Sequence, residues 1–301
     1  MILIVGGTGA LGSATTEQLL AQRKAVRVMT RTPAKAQALQ DLGAEIVQGD
    51  LREKASLIQA CQGVDAVLAA AHAIMGKGTE ASKFVDDQGH RWLIDAANAA
   101  SVNHFVYVSA HGAAPDNPSN FFRIKYKIEQ YLRNSGLSFT ILRPTAFMES
   151  HAYMLIGQPI LETGKVTLFG KGENPRNFVA ATDVAHFAVM MLLKSAGSGE
   201  LLEIGGPENL TNMQVVRLYE GIAGRKAKVS HVPLGILRLM SPLAGPFNPG
   251  LSQVMATSIW HDTTDQTFDM SPMLQQYPMT LTRLADWVKT YHPTELLPAS
   301  G

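Results

Sequence analysis

The segment Ile2-Leu3-Ile4-Val5-Gly6-Gly7-Thr8-Gly9-Ala10-Leu11-Gly12 joins a short apolar run to a glycine-rich turn, and a helical pattern follows it. The glycines at 6, 9 and 12 have the spacing G-x-x-G-x-x-G. At a strand-to-helix turn, the first glycine permits a tight turn, the second lets a pyrophosphate approach the backbone, and the third lets helix and strand pack closely. The helix N-terminus then offers free N–H groups to the phosphates. The segment therefore predicts dinucleotide binding by Gly6, Thr8, Gly9, Ala10, Leu11 and Gly12, with an ordinary glycine-containing turn as the alternative.

Short apolar runs alternate with helical segments through the first half of the chain. The predicted strands are Ile2–Val5, Ala25–Met29, Ala44–Val47, Ala66–Leu68, Phe105–Val108 and Phe139–Leu142. Nearly continuous apolar strands are typical of a parallel sheet that is buried on both faces. Their alternation with helices predicts the α/β class, with a doubly wound parallel sheet of the Rossmann type.

After about Pro144 this alternation becomes looser, and Gly157–Pro175 predicts loops with short strands. Later elements are predicted as helices at Asp183–Leu193, Thr211–Ala223 and near Leu281–Thr290, and as a strand at Leu201–Ile204. We therefore predict a Rossmann domain at residues 1–150 that the chain re-enters around 178–206. A smaller C-terminal substrate lobe is predicted at 151–177 and 207–301.

Composition excludes several classes of protein. The 301 residues are 46% hydrophobic and 17% charged, with a net charge of +1. Low charge argues against disorder, and the lack of charged blocks argues against a nucleic-acid partner. The single cysteine, Cys61, excludes an internal disulfide and any multi-cysteine metal site, and it has no visible activating neighbour. The run Ile2–Val5 is too short for a signal peptide, and glycines and prolines interrupt Val232–Phe247, so we expect a cytoplasmic protein without a membrane helix.

The residues after the second and third strands bear on the choice of dinucleotide. NAD-binding folds usually carry an acid about 20 residues after the glycine loop, where it bonds the ribose 2′-hydroxyl. Here Arg31 and Lys35 follow the strand, and both suit a 2′-phosphate, although both could be solvated charges. NADP(H) is therefore favoured over NAD(H). Asp50 and Leu51 end the third strand, where the adenine should lie; Asp50 could accept a bond from its amine or cap the next helix.

Taken together, these segments resemble the short-chain dehydrogenase/reductase superfamily, and within it the atypical, NmrA-like group of NAD(P)-binding proteins. The segments that carry the resemblance are Gly6–Gly12, Arg31, Gly49–Leu51, Val106–Ser109, Lys125 with Glu129, Gly136–Pro144 and Asp183–Ala185. The superfamily's usual catalytic pair is Tyr-x-x-x-Lys on one helix. Lys125 matches the lysine, but Phe121 stands at the tyrosine position, and no tyrosine of this chain has a lysine four residues later. The resemblance implies a redox sensor, a quinone reductase or an enone reductase.

Lys125 lies on an apolar helical stripe with Phe121, Phe122, Ile128 and Leu132. The resemblance implies that it holds the nicotinamide ribose. A partly buried lysine can also be tuned to donate a proton to substrate. The alternative is a lysine that snorkels to water and pairs with Glu129 at i+4.

Other candidates follow the carboxyl ends of the predicted strands, where ligands bind in doubly wound sheets. Ser109 is a candidate catalytic group or a turn serine, and His111 and His72 are weaker candidates. The small residue Ala70 should let a cofactor ribose approach. Pro144 and Phe147 are predicted near the nicotinamide, with core packing as the alternative for Phe147. Tyr126 points about 100° away from its neighbour Lys125 on a helix and is a poor substitute acid.

These residues predict an NADPH-dependent reductase of a small apolar acceptor, such as a quinone or a conjugated carbonyl, with Lys125, Ser109 or water delivering the proton. The alternatives are a non-enzymatic NADP(H)-binding sensor or regulator and an assembly factor, and a homodimer or a protein partner is possible in each case. The apolar C-terminal region around Leu239, Leu243 and Phe247 is predicted as core, with a substrate lid and a dimer face as alternatives.

Overall fold

The computed structural model describes residues 1–194 and 199–291. The strands are β1 (Ile2–Val5), β2 (Val26–Thr30), β3 (Glu45–Gln48), β4 (Ala66–Ala69), β5 (His104–Val108), β6 (Phe139–Pro144), β7 (Ala146–Phe147), β8 (Lys165–Phe169), β9 (Arg176–Val179), β10 (Glu200–Ile204), β11 (Asn209–Leu210) and β12 (Lys228–Val232). The α-helices are α1 (Ala10–Ala21), α2 (Gln37–Asp41), α3 (Lys54–Ala60), α4 (His90–Ala99), α5 (Asn120–Arg133), α6 (Gln158–Thr163), α7 (Ala181–Leu193), α8 (Asn212–Ala223), α9 (Leu234–Ala244), α10 (Pro249–Thr263), α11 (Ser271–Gln276) and α12 (Leu284–Thr290). Two π-helices cover Lys83–Gly89 and Met148–Gly157.

The largest sheet has seven strands in the order β10-β6-β5-β4-β1-β2-β3. All five pairings among β1 to β6 are parallel; in one of them Ile2 lies opposite Val26 and Val5 opposite Met29. This order reverses direction at β1, which is the arrangement of a doubly wound dinucleotide-binding sheet. The predicted α/β class with a Rossmann-type parallel sheet is therefore confirmed.

The chain divides into two compact units. The first unit contains Met1–Arg143 and the described part of Val184–Leu202, and the second contains Pro144–Asp183 and the described residues from Glu203 onward. These boundaries differ from the predicted ones mainly at β7, β9 and the start of α7, which belong to the second unit. The first unit has its own core, which is formed by the sheet strands and the inner faces of α3, α4 and α5.

The second unit is built around two small sheets. In one, β9 lies between β7 and β11, and in the other β8 pairs in parallel with β12. Helix α8 begins with a capping box between Thr211 and Gln214 and ends before Gly224, whose φ of 62° suits glycine. The buried residues Phe178, Val215, Tyr219 and Trp287 belong to a separate core.

The prediction that the C-terminal apolar region is core is wrong for one face of α9. The five apolar side chains on this face are exposed: Ile236 (53%), Leu239 (66%), Met240 (43%), Leu243 (59%) and, just beyond the helix, Phe247 (89%). Leu237 and Ser241 of the same helix are buried. Composition alone does not specify which face of an apolar helix is covered. Within the described residues, no helix is both long and apolar enough to span a bilayer.

Candidate functional site

The glycine loop between β1 and α1 is packed too closely to admit side chains. A Cβ on Gly12 would lie 2.2 Å from the carbonyl oxygen of Gly6, and one on Gly7 would lie 2.5 Å from Cγ1 of Val28. Gly6 has a φ of 91°, which disfavours any residue with a side chain. The third glycine therefore packs helix against loop, as the spacing predicted.

The N-terminus of α1 is open to a ligand. Gly9 is the N-cap residue, and no side chain caps the helix or places an acid in its first turn. Gly9 and Ala10 are exposed and Thr8 is half-buried, whereas Leu11 points into the interior. Backbone N–H groups in this position can receive a pyrophosphate, so the loop fits the group that the sequence predicted.

Ala70 lies directly opposite this loop. Its amide donates to the Val5 carbonyl over 2.9 Å, and a Cβ on Gly6 would approach the carbonyl carbon of Ala70 to 2.9 Å. The backbone of Ala70 therefore lies in close contact with the turn. His72 is exposed and contacts the ring of Phe121 edge-on, with 6.3 Å between ring centroids.

A cluster of charges lies beyond β2 and β3. Arg31 forms an exposed ion pair with Glu80, with 2.5 Å between Nη1 and Oε1. Asp50 accepts from the backbone N of Arg52 over 2.9 Å and from its guanidinium Nε over 3.0 Å. The guanidinium of Arg52 holds the pKa of Asp50 below its usual value. Asp50 therefore binds Arg52 and does not cap α3, whose N-cap residue is Glu53 with no side-chain cap.

The two other residues predicted here differ in exposure. Lys35 is exposed in a 3-10 turn, where its ammonium is free to reach an anion. Leu51 is buried, and its side chain and carbonyl lie within 3 Å of where a Cβ on Gly89 would be. Arg52 and Glu80 were not predicted; the only signal in the sequence was that Arg52 follows Asp50 and Leu51.

Lys125 is buried on the inner face of α5. Its Nζ donates to the Val108 carbonyl over 2.8 Å and lies 5.0 Å from the ring centroid of Tyr107 and 5.6 Å from that of Phe121. Only 3% of the residue is exposed, so the alternative of a snorkelling lysine is wrong. Burial lowers the pKa of Lys125, while the charges of Asp86 and Glu129 oppose that shift.

Glu129 is held by other partners. Its carboxylate accepts from Nε and Nη2 of Arg143 over 2.9 and 2.6 Å, and it also accepts from the hydroxyl of Ser109. A two-pronged guanidinium bond is stronger than the single contact that Lys125 could make at i+4. Ser109 is thereby fixed at the end of β5, one residue beyond the carbonyl that Lys125 binds.

Two further buried polar residues, Asp86 and His90, interact electrostatically with Lys125 and were not predicted. Asp86, in the first π-helix, is fully buried and accepts from the Ala73 amide over 3.0 Å and from the hydroxyl of Ser82. His90 is also fully buried and lies edge-on to Tyr107 with 5.5 Å between ring centroids. Burial lowers the pKa of His90 to about 4, so the ring is neutral at neutral pH. The i, i+4, i+7 spacing of Asp86, His90 and Leu93 could have placed both polar residues on a buried face.

Pro144 and Phe147 belong to the second unit. Pro144 is the last residue of β6, and Phe147 is half-buried in β7, where it pairs with Val179.

The weaker candidates His111 and Tyr126 are half-buried. Cys61 is buried, and burial raises the pKa of its thiol to about 11, which leaves it unreactive at neutral pH. No cluster of metal-ligating side chains occurs in residues 1–194 and 199–291.

Comparison with known proteins identifies the family. A model described as the NmrA-like family matches residues 1–293, and the chain therefore belongs to this family. The resemblance that the sequence motifs predicted is confirmed.

Individual relatives have different described roles. The chain is 29% identical over 301 residues to the photosystem II assembly factor Ycf39 of Trieres chinensis, covering 96% of this chain and 92% of that protein. It is 32% identical over 236 residues to an NAD(P)H azoreductase of Xenophilus azovorans, covering 78% of each chain. The NADPH complex of the quinone oxidoreductase QOR2 from Escherichia coli has a TM-score of 0.76 and 24% identity, covering 96% of this chain and 99% of that one. That structural likeness shows a shared fold.

Proposed function

We propose that this chain is an NADPH-dependent reductase that transfers hydride to a small apolar acceptor, such as a quinone or a conjugated carbonyl, without a catalytic tyrosine. The observation that carries the proposal is the buried ammonium of Lys125 at the carboxyl end of β5, with Phe121 in the place of the usual acid. The similarity to an NAD(P)H azoreductase supports a reductase of this kind.

The glycine loop would hold the cofactor's pyrophosphate. The open N-terminus of α1 offers N–H groups and a partial positive charge, and the small side chain of Ala70 would let a ribose approach. Asp50 and Leu51 would border the adenine. Bound there, the reduced nicotinamide supplies a hydride from its C4 atom.

Arg31 would favour NADPH over NADH. Its guanidinium is held by Glu80 on an exposed surface, where a dianionic 2′-phosphate can displace a single carboxylate. Lys35 and Arg52 add positive charge to the same part of the unit. We therefore propose NADP(H) as the cofactor, in a reducing cytoplasmic setting that suits a chain whose one cysteine is buried.

Lys125 has two tasks in this proposal. One N–H of its ammonium binds the Val108 carbonyl, which fixes the side chain, and the remaining N–H groups can bind the ribose hydroxyls. Because burial lowers the pKa of this ammonium, it gives up a proton more readily than a solvated lysine. Lys125 is therefore the proton donor that we favour, with water as the alternative.

Ser109 has a different task. Its hydroxyl proton is directed at Glu129, so in this arrangement the oxygen presents lone pairs. Ser109 would then accept a hydrogen bond from a water molecule and orient that water molecule. Glu129 and Arg143 are positioning residues that act through Ser109.

The test is the loss of NADPH absorbance with a panel of quinones and enones, for the wild type and Lys125→Met. The substitution keeps the length and burial of the side chain and removes its charge and protons. We expect oxidation above the protein-free rate in the wild type and a loss of about a hundredfold in the variant, which is typical of a lost general acid. Cofactor affinity, measured separately by fluorescence titration, should fall by about tenfold or less.

Two results would count against a reductase. One is tight NADPH binding without oxidation across the panel. The other is equal rates in the wild type and Lys125→Met at saturating cofactor, which would remove Lys125 from the chemistry.

A second function has support of its own. The similarity to an assembly factor extends over almost the whole chain, and the exposed apolar face of α9 offers a surface for a protein partner. In this alternative the chain binds NADP(H) without turnover and acts as a regulator or assembly factor. It predicts a partner whose affinity changes when NADPH is added, and this binding should weaken when Leu239 and Leu243 are replaced by serine.

A further inference from the structure

Arg176, the first residue of β9 in the second unit, is the only buried arginine among the described residues. It is 8% exposed, and its Nε and Nη2 atoms have no hydrogen-bond partner. It forms no ion pair with any residue of 1–194 or 199–291. A buried charge without a counter-charge is destabilising, so the molecule maintains an unfavourable arrangement here.

The residues that the structure places around Arg176 include no acidic side chain. The guanidinium lies over the ring of Phe178, with 5.2 Å between Cζ and the ring centroid. Strand β9 is bridged at Arg176 by Gln266, whose side-chain oxygen contacts Nδ1 of His261 over 3.0 Å. The ring of His151 lies 6.1 Å from that of His261. These residues are half-buried or buried, and none of them is acidic.

Three acidic residues lie within a few positions of Arg176 or of Gln266 in the sequence, and none of them pairs with Arg176. Asp262 accepts from the backbone N–H groups of Lys171 and Gly172. Asp265 is exposed and accepts from the amide and hydroxyl of Thr267 over 2.9 and 2.7 Å. Glu173 is exposed. Consistent with this, burial is the one cause that lowers the pKa of Arg176, to about 10, and the group still carries its charge at neutral pH.

The geometry favours an anionic partner that can place two oxygens in the plane of the guanidinium. Because the aromatic ring covers one face of the guanidinium, the N–H groups at its edge remain free for in-plane contacts. An arginine edge matches the spacing of two oxygens in a carboxylate, sulfonate or phosphate.

We propose that Arg176 is the centre of an oxyanion-binding site in the second unit, which takes a phosphate, sulfonate or carboxylate group. The group belongs to a free anion that regulates the protein. The site itself is argued from residues of the second unit alone and does not depend on the proposed reductase function.

Fluorine NMR of monofluorophosphate with the full chain tests the site directly. We expect saturable broadening of the signal with the wild type, competition by sulfate, and affinity at least about tenfold weaker in Arg176→Met. Arg176→Lys should bind at an intermediate level, because it keeps the charge and loses the fork. The matched control is Arg217→Met, which removes an exposed arginine from α8 of the same unit and should bind as the wild type does.

Stability provides an independent readout. Replacing an unpaired buried charge with an apolar side chain of similar length should leave the urea midpoint of Arg176→Met unchanged or raised when no oxyanion is present. A structural arginine would instead show a lowered midpoint. The proposal is overturned if the wild type shows no saturable broadening, or if Arg176→Lys and Arg176→Met bind monofluorophosphate as the wild type does.

Discussion

Arg143 of the first unit and Arg176 of the second are both largely withdrawn from water, but their surroundings differ. Arg143 forms two hydrogen bonds to the buried carboxylate of Glu129, whereas Arg176 has no ion-pair partner in the described parts of the chain. The carboxylates show the same contrast. Glu129 is paired with the guanidinium of Arg143. Glu149 of the second unit instead accepts hydrogen bonds from uncharged donors, the Ala181 amide over 3.0 Å and the side chain of Trp287.

This difference separates two uses of a buried charge. In the first unit, opposite charges are paired within the chain and hold Ser109 in place beside Lys125. In the second unit, Arg176 and Glu149 have no oppositely charged partner among the described residues, so we expect Arg176 to bind an anionic ligand and Glu149 to titrate with pH. Paired charges should therefore be sensitive to loss of one partner, and unpaired charges to solution conditions.

The largest effect is expected for Glu129→Ala. It leaves Arg143 buried without a counter-charge and removes the acceptor of Ser109, so the free energy of unfolding should fall by about 3–5 kcal/mol. Urea denaturation measures it. The control is Glu45→Ala, which removes a partly exposed partner of Arg27 and should change stability by about 1 kcal/mol or less. Equal losses in the two variants would erase the contrast between paired buried charges and surface pairs.

Glu149 should make the stability depend on pH. Burial raises the pKa of its carboxyl to about 7, and the nearby charge of Asp183 acts in the same direction. Between the unfolded pKa and this folded value, the native state binds the extra proton, so stability is greatest at low pH and falls as the pH rises toward 7.

The measurement for Glu149 is the urea midpoint of the wild type and Glu149→Gln from pH 4 to 8. The difference in unfolding free energy between the two proteins should change by roughly 1–3 kcal/mol over this range, in favour of the variant at high pH. Parallel pH profiles would show that Glu149 does not titrate in this window.

Gly12→Ala tests the packing that positions the cofactor turn. The added Cβ would meet the Gly6 carbonyl at 2.2 Å, so α1 must move away from the loop, which should lower stability by about 1–3 kcal/mol and weaken NADPH binding. Gly221→Ala in α8 is the matched control, because a Cβ there meets nothing within 4 Å. That variant should be up to about 1 kcal/mol more stable. A Gly12→Ala protein with unchanged cofactor affinity would contradict the assigned role of the turn.

The smallest effect is expected at the exposed ion pair of Arg31 and Glu80. In our proposal the 2′-phosphate of NADPH displaces Glu80 from Arg31. Arg31→Ala should weaken NADPH binding by about tenfold and leave NADH binding nearly unchanged. Glu80→Gln should strengthen NADPH binding, because it removes the carboxylate that competes for Arg31. Both are measured by fluorescence titration, and equal losses for the two cofactors would remove Arg31 from 2′-phosphate recognition.

The first unit could be predicted from sequence because its signals are local. The glycines at 6, 9 and 12 and the apolar strands around them depend on residues a few positions apart. The stripe on α5 likewise predicted that Lys125 faces inward. The alternative that Lys125 snorkels to water and pairs with Glu129 was wrong. Glu129 binds Arg143 instead, and because Arg143 lies on a strand, the helical spacing of α5 does not reveal this partner.

The second unit was less predictable for the same physical reason. Arg176 is bridged by Gln266, which in turn contacts His261, and both residues are distant from Arg176 in sequence. The exposed face of α9 has the composition of a core, and only the fold determines which side of that helix is covered. Asp86 and His90 were missed although their spacing with Leu93 fits one helical face, because a polar side chain usually marks the exposed side of a helix.

The most direct test of the proposed function is the stopped-flow rate of NADPH oxidation by a quinone, measured with ordinary NADPH and with NADPH deuterated at both C4 positions. The account predicts enzyme-dependent oxidation that is slower with the deuterated cofactor, and a large loss of that rate in Lys125→Met at saturating cofactor. Tight binding of NADPH with a rate no greater than the protein-free control would contradict the account and favour a cofactor-binding regulator.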